Sequence, residues 1–193
     1  FNLAYLARAG GISFQGPSAG DFAAAEPDRF TVEQFFATLT RAEHQVEFAG
    51  DGPDCDVTGT LWGGNLALVS ALVGTPYLPR VRGGILFLED VNEAAYRVER
   101  MLHQLLHAGV FARCRAVVLG DFSPVPAQPT DNGYDLGTAI AQLRARLAVP
   151  VLAGLPFGHV PRKLTLPVGA RARLRMRAGH AELSFSGHPT LRP

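Results

Sequence analysis

Two stretches far apart in the chain carry the side chains best suited to move a proton. The first, GILFLED at 84–90, is an apolar run that closes on two carboxylates, Glu89 and Asp90. The second, GLPFGHVPRKLTLPVG at 154–169, places one histidine, His159, between Gly/Pro turns. A histidine titrates near neutrality, and a carboxylate beside it orients the ring and stabilises its charged form. If Glu89 and His159 meet, they make the base half of a hydrolase site. A serine nucleophile would need a sharp turn that exposes its hydroxyl beside backbone donors. The serines are Ser13, Ser18, Ser70, Ser123, Ser184 and Ser186, and none has the small-x-Ser setting of a strand-to-helix elbow. Ser18, in GPSAGD, comes nearest and reads as a loop residue.

Other groups have simpler readings beside the chemical one. Asp121 closes a second apolar run and would share a crevice with Glu89 and His159 at the carboxyl ends of parallel strands. Asp90 precedes a helical stretch and suits an N-cap. His103 and His107 fall on one side of a helix, as a metal-binding pair would, but HQLLH lacks the glutamate of the zinc-protease motif. Asp131 and Asp135 read as a solvated loop. Cys114, between Arg113 and Arg115, could have a lowered pKa, although its place at the edge of a strand favours packing. Gly63-Gly64 and Gly158 lack the spacing of a nucleotide-binding loop.

The elements that must position these groups follow from periodicity. Residues 2–9 have a helical face, ended by Gly10-Gly11. A short strand at 12–14 follows, then a helix at 32–39 with Thr31 as N-cap. The cluster Gly50, Asp51, Gly52, Pro53, Asp54 and Asp56 reads as a linker or exposed hairpin. An apolar helix-like run from Leu66 is stopped by Gly74-Thr75-Pro76. Strands at 85–88, 116–119 and 151–152 alternate with helices at 92–107 and 136–147, the pattern of parallel βαβ units, with a Pro-rich loop at 124–133. Runs at 172–177 and 181–186 form an antiparallel hairpin, with Leu174 and Met176 inward against Leu183 and Phe185. Arg171, Arg173, Arg175 and Arg177 then share the outer face, which reads as a solvated stripe.

The fold class is therefore α/β. The expected organisation is the tail of an N-terminal α/β domain at 1–48, a linker at 49–61, and a mixed C-terminal domain at 62–193 with parallel βαβ units and a terminal antiparallel hairpin. The chain has 193 residues, 47% of them hydrophobic and 18% charged, with a formal net charge of +1. That balance gives no field to recruit nucleic acid or an acidic membrane surface. No apolar segment has membrane length. Two cysteines make neither a disulfide framework nor a metal knuckle. The first residue is Phe1, and the chain reads as beginning inside a folded unit.

Four segments carry a resemblance to a known family: GGNLALVSALVGTPYLP (63–79), ILFLEDVNEAAYRVERMLHQLLHAGVF (85–111), VVLGDF (117–122) and GLPFGHVPRKLTLPVGARARL (154–174). The sequence resembles the LD-carboxypeptidases, serine peptidases that trim murein tetrapeptides and whose relatives include microcin C immunity peptidases. The resemblance implies a Ser–His–Glu triad with Glu89 and His159 as two of its members, Glu93 and Glu99 being less suited because they lie on the following helix. It implies a serine just upstream of Phe1, so that this chain alone should be inactive. It further implies release of terminal D-alanine from a murein tetrapeptide, no metal or other cofactor, a cytoplasmic recycling role and a homodimer. The alternatives are a microcin-type amide hydrolase, with 123–134 as the stretch that would separate the two, or a non-catalytic binding remnant.

Overall fold

The computed structural model describes residues 1–124, 126 and 129–191. In chain order the elements are α1 (Asn2–Ala9), β1 (Ser13–Gln15), α2 (Ala19–Phe22), α3 (Arg29–Thr40), β2 (Glu43–Ala49), β3 (Cys55–Asn65), α4 (Leu66–Ala71), β4 (Gly84–Glu93), α5 (Ala95–His107), β5 (Cys114–Pro124), α6 (Leu136–Arg146), β6 (Val151–Ala153), β7 (Leu166–Val168), β8 (Arg171–Arg177) and β9 (His180–Ser186). Seven strands form one mixed sheet in the order β2-β9-β8-β3-β4-β5-β6, and β1 pairs with β7 beside it.

The sheet changes character along β3. Residues 55–60 pair antiparallel with β8, and residues 61–65 pair parallel with β4. On the parallel side, β4-α5-β5-α6-β6 is the expected pair of βαβ units. Ile85, Leu86, Phe87 and Leu88 are wholly buried, as a strand covered on both faces requires. In α5, Val98, Met101, Leu102 and Leu105 make the apolar stripe that lies inward. On the antiparallel side, β2, β8 and β9 alternate buried and open residues. The β8–β9 turn is Ala178-Gly179, both with positive φ, as a tight two-residue hairpin demands.

Several expectations need correction. Residues 49–61 do not run free as a linker. Asp51 forms a bridge to Ala153, and from Cys55 the chain is strand. The Gly/Asp/Pro cluster marks a tight turn, and the polar residues beyond it sit on a charged sheet face, where Asp56 binds Arg173. The stretch 1–48 also contributes β2 to the same sheet, paired with β9. The N-cap of α3 is Asp28, whose carboxylate accepts from Thr31 N; the helix starts three residues before the periodicity suggests. Strands β4 and β5 run past the ends of their apolar runs, because bulges let the pairing continue through polar residues. Asn92 takes φ 58 just before α5, which therefore begins at Ala95. In the Pro-rich loop, residues 125, 127 and 128 lie outside the described residues.

Candidate active site

Glu89 is delivered by β4 and His159 by the loop after β6, and the two meet. His159 Nδ1 lies 2.8 Å from Glu89 Oε2. The carboxylate side chain is 5% exposed and the imidazole 55%, so the acid is fixed within the sheet while the ring reaches into solvent.

The backbone explains why they meet. Leu88 pairs with Leu119 and Asp90 with Phe122, so β5 places two residues, Gly120 and Asp121, opposite Glu89 alone. This is a β-bulge, which bends its strand and re-aims what lies beside it. Gly120 has no side chain to fend off the Phe157 carbonyl, which accepts from Asp121 N at 2.7 Å. Leu155 N donates to Leu119 O at 3.1 Å, so the loop leaves β6 still bonded to β5. The Phe157 ring packs edge-on against Phe87, with centroids 5.2 Å apart. Gly158 then adopts φ 145, where a Cβ would crowd both Asp121 and Glu89, and the chain turns His159 onto the carboxylate.

The other acids have different work. Asp121 joins through its backbone N–H, and its side chain is exposed. Asp90 does not cap α5. Its carboxylate accepts from Asn65 Nδ2 at 2.8 Å, from Ala67 N at 3.0 Å and from Val91 N at 2.9 Å, so it steadies the start of α4 instead. Sequence proximity suggested the wrong helix, because β4 runs beside the end of β3, where α4 begins. Glu93 pairs with Arg97 at 2.7 Å, and Glu99 lies within α5.

A cavity of about 690 Å³ opens beside the pair. Its walls include Gln15, Asp21, Gly64 and Lys163 as well as Glu89 and His159. Gln15 Nε2 donates to Gly63 O at 3.1 Å, and its amide lies where a side chain at residue 64 would stand. Lys163 Nζ contacts Asp21 Oδ1 at 2.8 Å. Sequence reasoning passed over Lys163 and Gln15. The signal for the first was available, since Lys163 is the single lysine of the chain and lies four residues from His159.

The remaining candidates are placed as follows. Ser18 borders the same cavity, but its hydroxyl donates to Asp21 Oδ2 at 2.9 Å within a capping box. The rings of His103 and His107 stand edge to face with centroids 6.0 Å apart. Among the described residues no three His, Cys, Asp or Glu side chains gather as a metal site. Asp135 is the N-cap of α6, accepting from Thr138 N at 2.7 Å; Asp131 lies in a short 3₁₀ turn. Cys114 is buried, and burial pushes its thiol up to about 12 despite the neighbouring Arg113, the opposite of activation. On the arginine stripe, Arg173 binds Asp56 through two nitrogens, Arg175 lies near Asp56 and Glu182, and Arg177 near Asp54. Among the described residues no helix is long and apolar enough to cross a membrane.

A histidine held by a carboxylate beside a cavity, at the carboxyl ends of parallel strands, has the geometry to take up and return a proton. Residues 58–174 match the model of the LD-carboxypeptidase C-terminal domain. This chain belongs to the LD-carboxypeptidase family. A putative carboxypeptidase of Streptomyces coelicolor is 35% identical over 175 residues, which are 89% of this chain and 54% of that protein. The crystal structure of a muramoyltetrapeptide carboxypeptidase from Oxalobacter formigenes superposes with a TM-score of 0.94 at 46% identity, over 98% of this chain and 66% of that one. The microcin C7 self immunity protein MccF shares the fold, with a TM-score of 0.83 at 22% identity over 98% of this chain and 65% of that one. The chain thus spans about half the length of the Streptomyces relative and about two thirds of the Oxalobacter one.

Proposed function

We propose that this chain is the part of a serine carboxypeptidase that carries the base, and that it acts on the L,D-peptide bond before the terminal D-alanine of a murein tetrapeptide. The observation that carries the reading is the 2.8 Å contact between His159 Nδ1 and Glu89 Oε2. With Nδ1–H donating a hydrogen bond to the Glu89 carboxylate, the lone pair of the neutral ring lies on Nε2. That nitrogen takes the proton of a serine hydroxyl as the oxygen attacks the scissile carbonyl. It then returns the proton to the departing amine, and D-alanine leaves while the peptide remains as an acyl-enzyme. Water, deprotonated by the same ring, releases the peptide. The serine is proposed to come from outside these 193 residues, with 1–48 bordering the segment that supplies it. The reading requires no metal and includes a homodimer acting in cytoplasmic cell-wall recycling. Sequence identity of 46% to a muramoyltetrapeptide carboxypeptidase, against 22% to a microcin immunity protein, supports the murein substrate.

The test is D-alanine release from a murein tetrapeptide by the protein that includes the upstream serine. Glu89→Gln and His159→Ala are each expected to lower kcat by at least about 10², some 2.7 kcal/mol of transition-state stabilisation, without unfolding the protein. Wild-type turnover in either variant refutes the assignment. Full activity in a Ser18→Ala variant is also expected, since that hydroxyl serves a cap.

A further inference from the structure

His159 and Lys163 stand four residues apart on one loop and line one cavity. The chain has 18 lysines and arginines, and Lys163 is the only lysine among them. Its side chain is 11% exposed. Burying an ammonium is costly unless it is compensated. Yet this is where the chain keeps its lysine, and it is the only Lys or Arg among the described residues that line the cavity. The backbone holds it there: Lys163 N donates to Thr31 Oγ1 at 2.8 Å, and Thr31 Oγ1 donates to Pro161 O at 2.7 Å.

Asp21 does not use up the ammonium. Asp21 Oδ2 is taken by Ser18 N at 2.7 Å and Ser18 Oγ at 2.9 Å, so only Oδ1 turns to Nζ. An ammonium has three N–H donors, and Asp21 is the one hydrogen-bond partner of Nζ among the described residues. A lysine also suits a single-point contact, where an arginine fork would call for bidentate pairing.

We propose that Lys163 is the anchor for the substrate's free C-terminal carboxylate, sharing its ammonium between Asp21 and the peptide end. This rests on the carboxypeptidase reading above. An enzyme that removes a terminal residue must distinguish a chain end from an internal residue, and the end is marked by a negative charge. A cation on the loop that carries the base meets that charge at a fixed distance from the bond to be cut. Asp21 keeps the ammonium paired while the cavity is free of substrate.

The experiment uses the protein that includes the upstream serine, with His159→Ala in the background so that binding is read without turnover. Affinities are measured for the murein tetrapeptide as free acid and as C-terminal amide. With Lys163 in place the free acid is expected to bind at least about tenfold tighter than the amide. Lys163→Met should bring the ratio to about one, and Lys163→Arg should restore part of it. Asp21→Asn should preserve or increase the ratio. If Lys163 only ties the loop to α2, Lys163→Met and Asp21→Asn will behave alike and leave the ratio unchanged, which overturns the proposal. A Lys163 dependence that instead follows a side-chain carboxylate of the third residue, or an absence of binding, overturns it as well. Failure of the active protein to release D-alanine would sink the carboxypeptidase reading separately.

Discussion

Gly120 is the residue on which the meeting of acid and histidine turns, and Gly120→Ala tests this directly. A Cβ at residue 120 would overlap the Phe157 carbonyl oxygen and lie 3.3 Å from Glu89 Cβ. The obstructing oxygen is backbone and is held by Asp121 N at 2.7 Å, so it cannot swing aside as the tip of a side chain would. Restoring ordinary van der Waals separation moves the carbonyl by about 1 Å. That costs about 1 kcal/mol for the weakened hydrogen bond and about 1–3 kcal/mol for overpacking around it. For a chain of this size the sum of about 2–4 kcal/mol lowers Tm by roughly 5–15 °C. The same shift carries His159, two residues further on, away from Glu89, and a 1 Å misplacement costs about 10² in rate. Thermal unfolding and, on the proposed carboxypeptidase reading, D-alanine release are measured on this variant of the protein that includes the upstream serine. Gly137→Ala is the control: it lies within α6, and the nearest atom to the new Cβ would be 3.5 Å away. A Gly120→Ala protein with wild-type Tm and turnover would refute the argument that the bulge positions the pair.

Three further outcomes follow from the same structure. Asp90→Ala removes an acceptor from three donors and leaves the N–H of Ala67 without its partner, so urea unfolding should show a loss of about 2–4 kcal/mol. Cys114 should resist a thiol reagent at pH 8 in the folded protein and react in denaturant, because burial raises its pKa to about 12 and leaves almost no thiolate; rapid native labelling of Cys114 would contradict this. Burial acts to raise the Asp21 carboxyl, but the hydrogen bonds from Lys163 and Ser18 together hold it below its ordinary value of 3.8. A depressed carboxyl stabilises the fold above its unfolded pKa and loses that contribution as pH falls through the folded value. The stability gap between wild type and Asp21→Asn should therefore be full near neutral pH and close below about pH 3.8, as urea titrations across pH would show.

The parts legible in the sequence were those with a local signature. The apolar run at 85–88, the stripe of α5 and the alternation in β8 and β9 each announce their element, and the βαβ order follows from them. That Glu89 and His159 meet was legible from strand ends and Gly-rich loops converging on one crevice together with the family resemblance, and the 2.8 Å contact bears out the meeting. What the sequence hid was non-local. Nothing near Asp90 says that its partners are Asn65 and Ala67, because that neighbourhood exists only once β3 and β4 lie side by side. The bulge at Gly120 depends on two strands falling out of register, which neither strand records alone. The turn at 51–54 read as a linker because turn residues look alike whether the chain beyond them is free or paired.

Thr31 shows how these two kinds of information combine at the site. As a sequence feature it suggests a helix start, and it does lie in the first turn of α3, bonded through its backbone to Asp28. Its hydroxyl, however, donates to Pro161 O and accepts from Lys163 N, while the residue is only 2% exposed. The loop that carries His159 is thus fixed on both sides of the histidine. Before it, the Asp121–Phe157 bond ties the loop to the parallel sheet; after it, Thr31 ties it to a helix from the first part of the chain. A loop held at one end would leave the imidazole free to swing, since more than half of its side chain is open to solvent. Held at both, the backbone on either side of the ring cannot follow it, and the Glu89 bond has only the ring's own rotation left to restrain. The early segment therefore does more than border the cavity: through α3 it sets where the His159 imidazole and the Lys163 ammonium stand relative to each other.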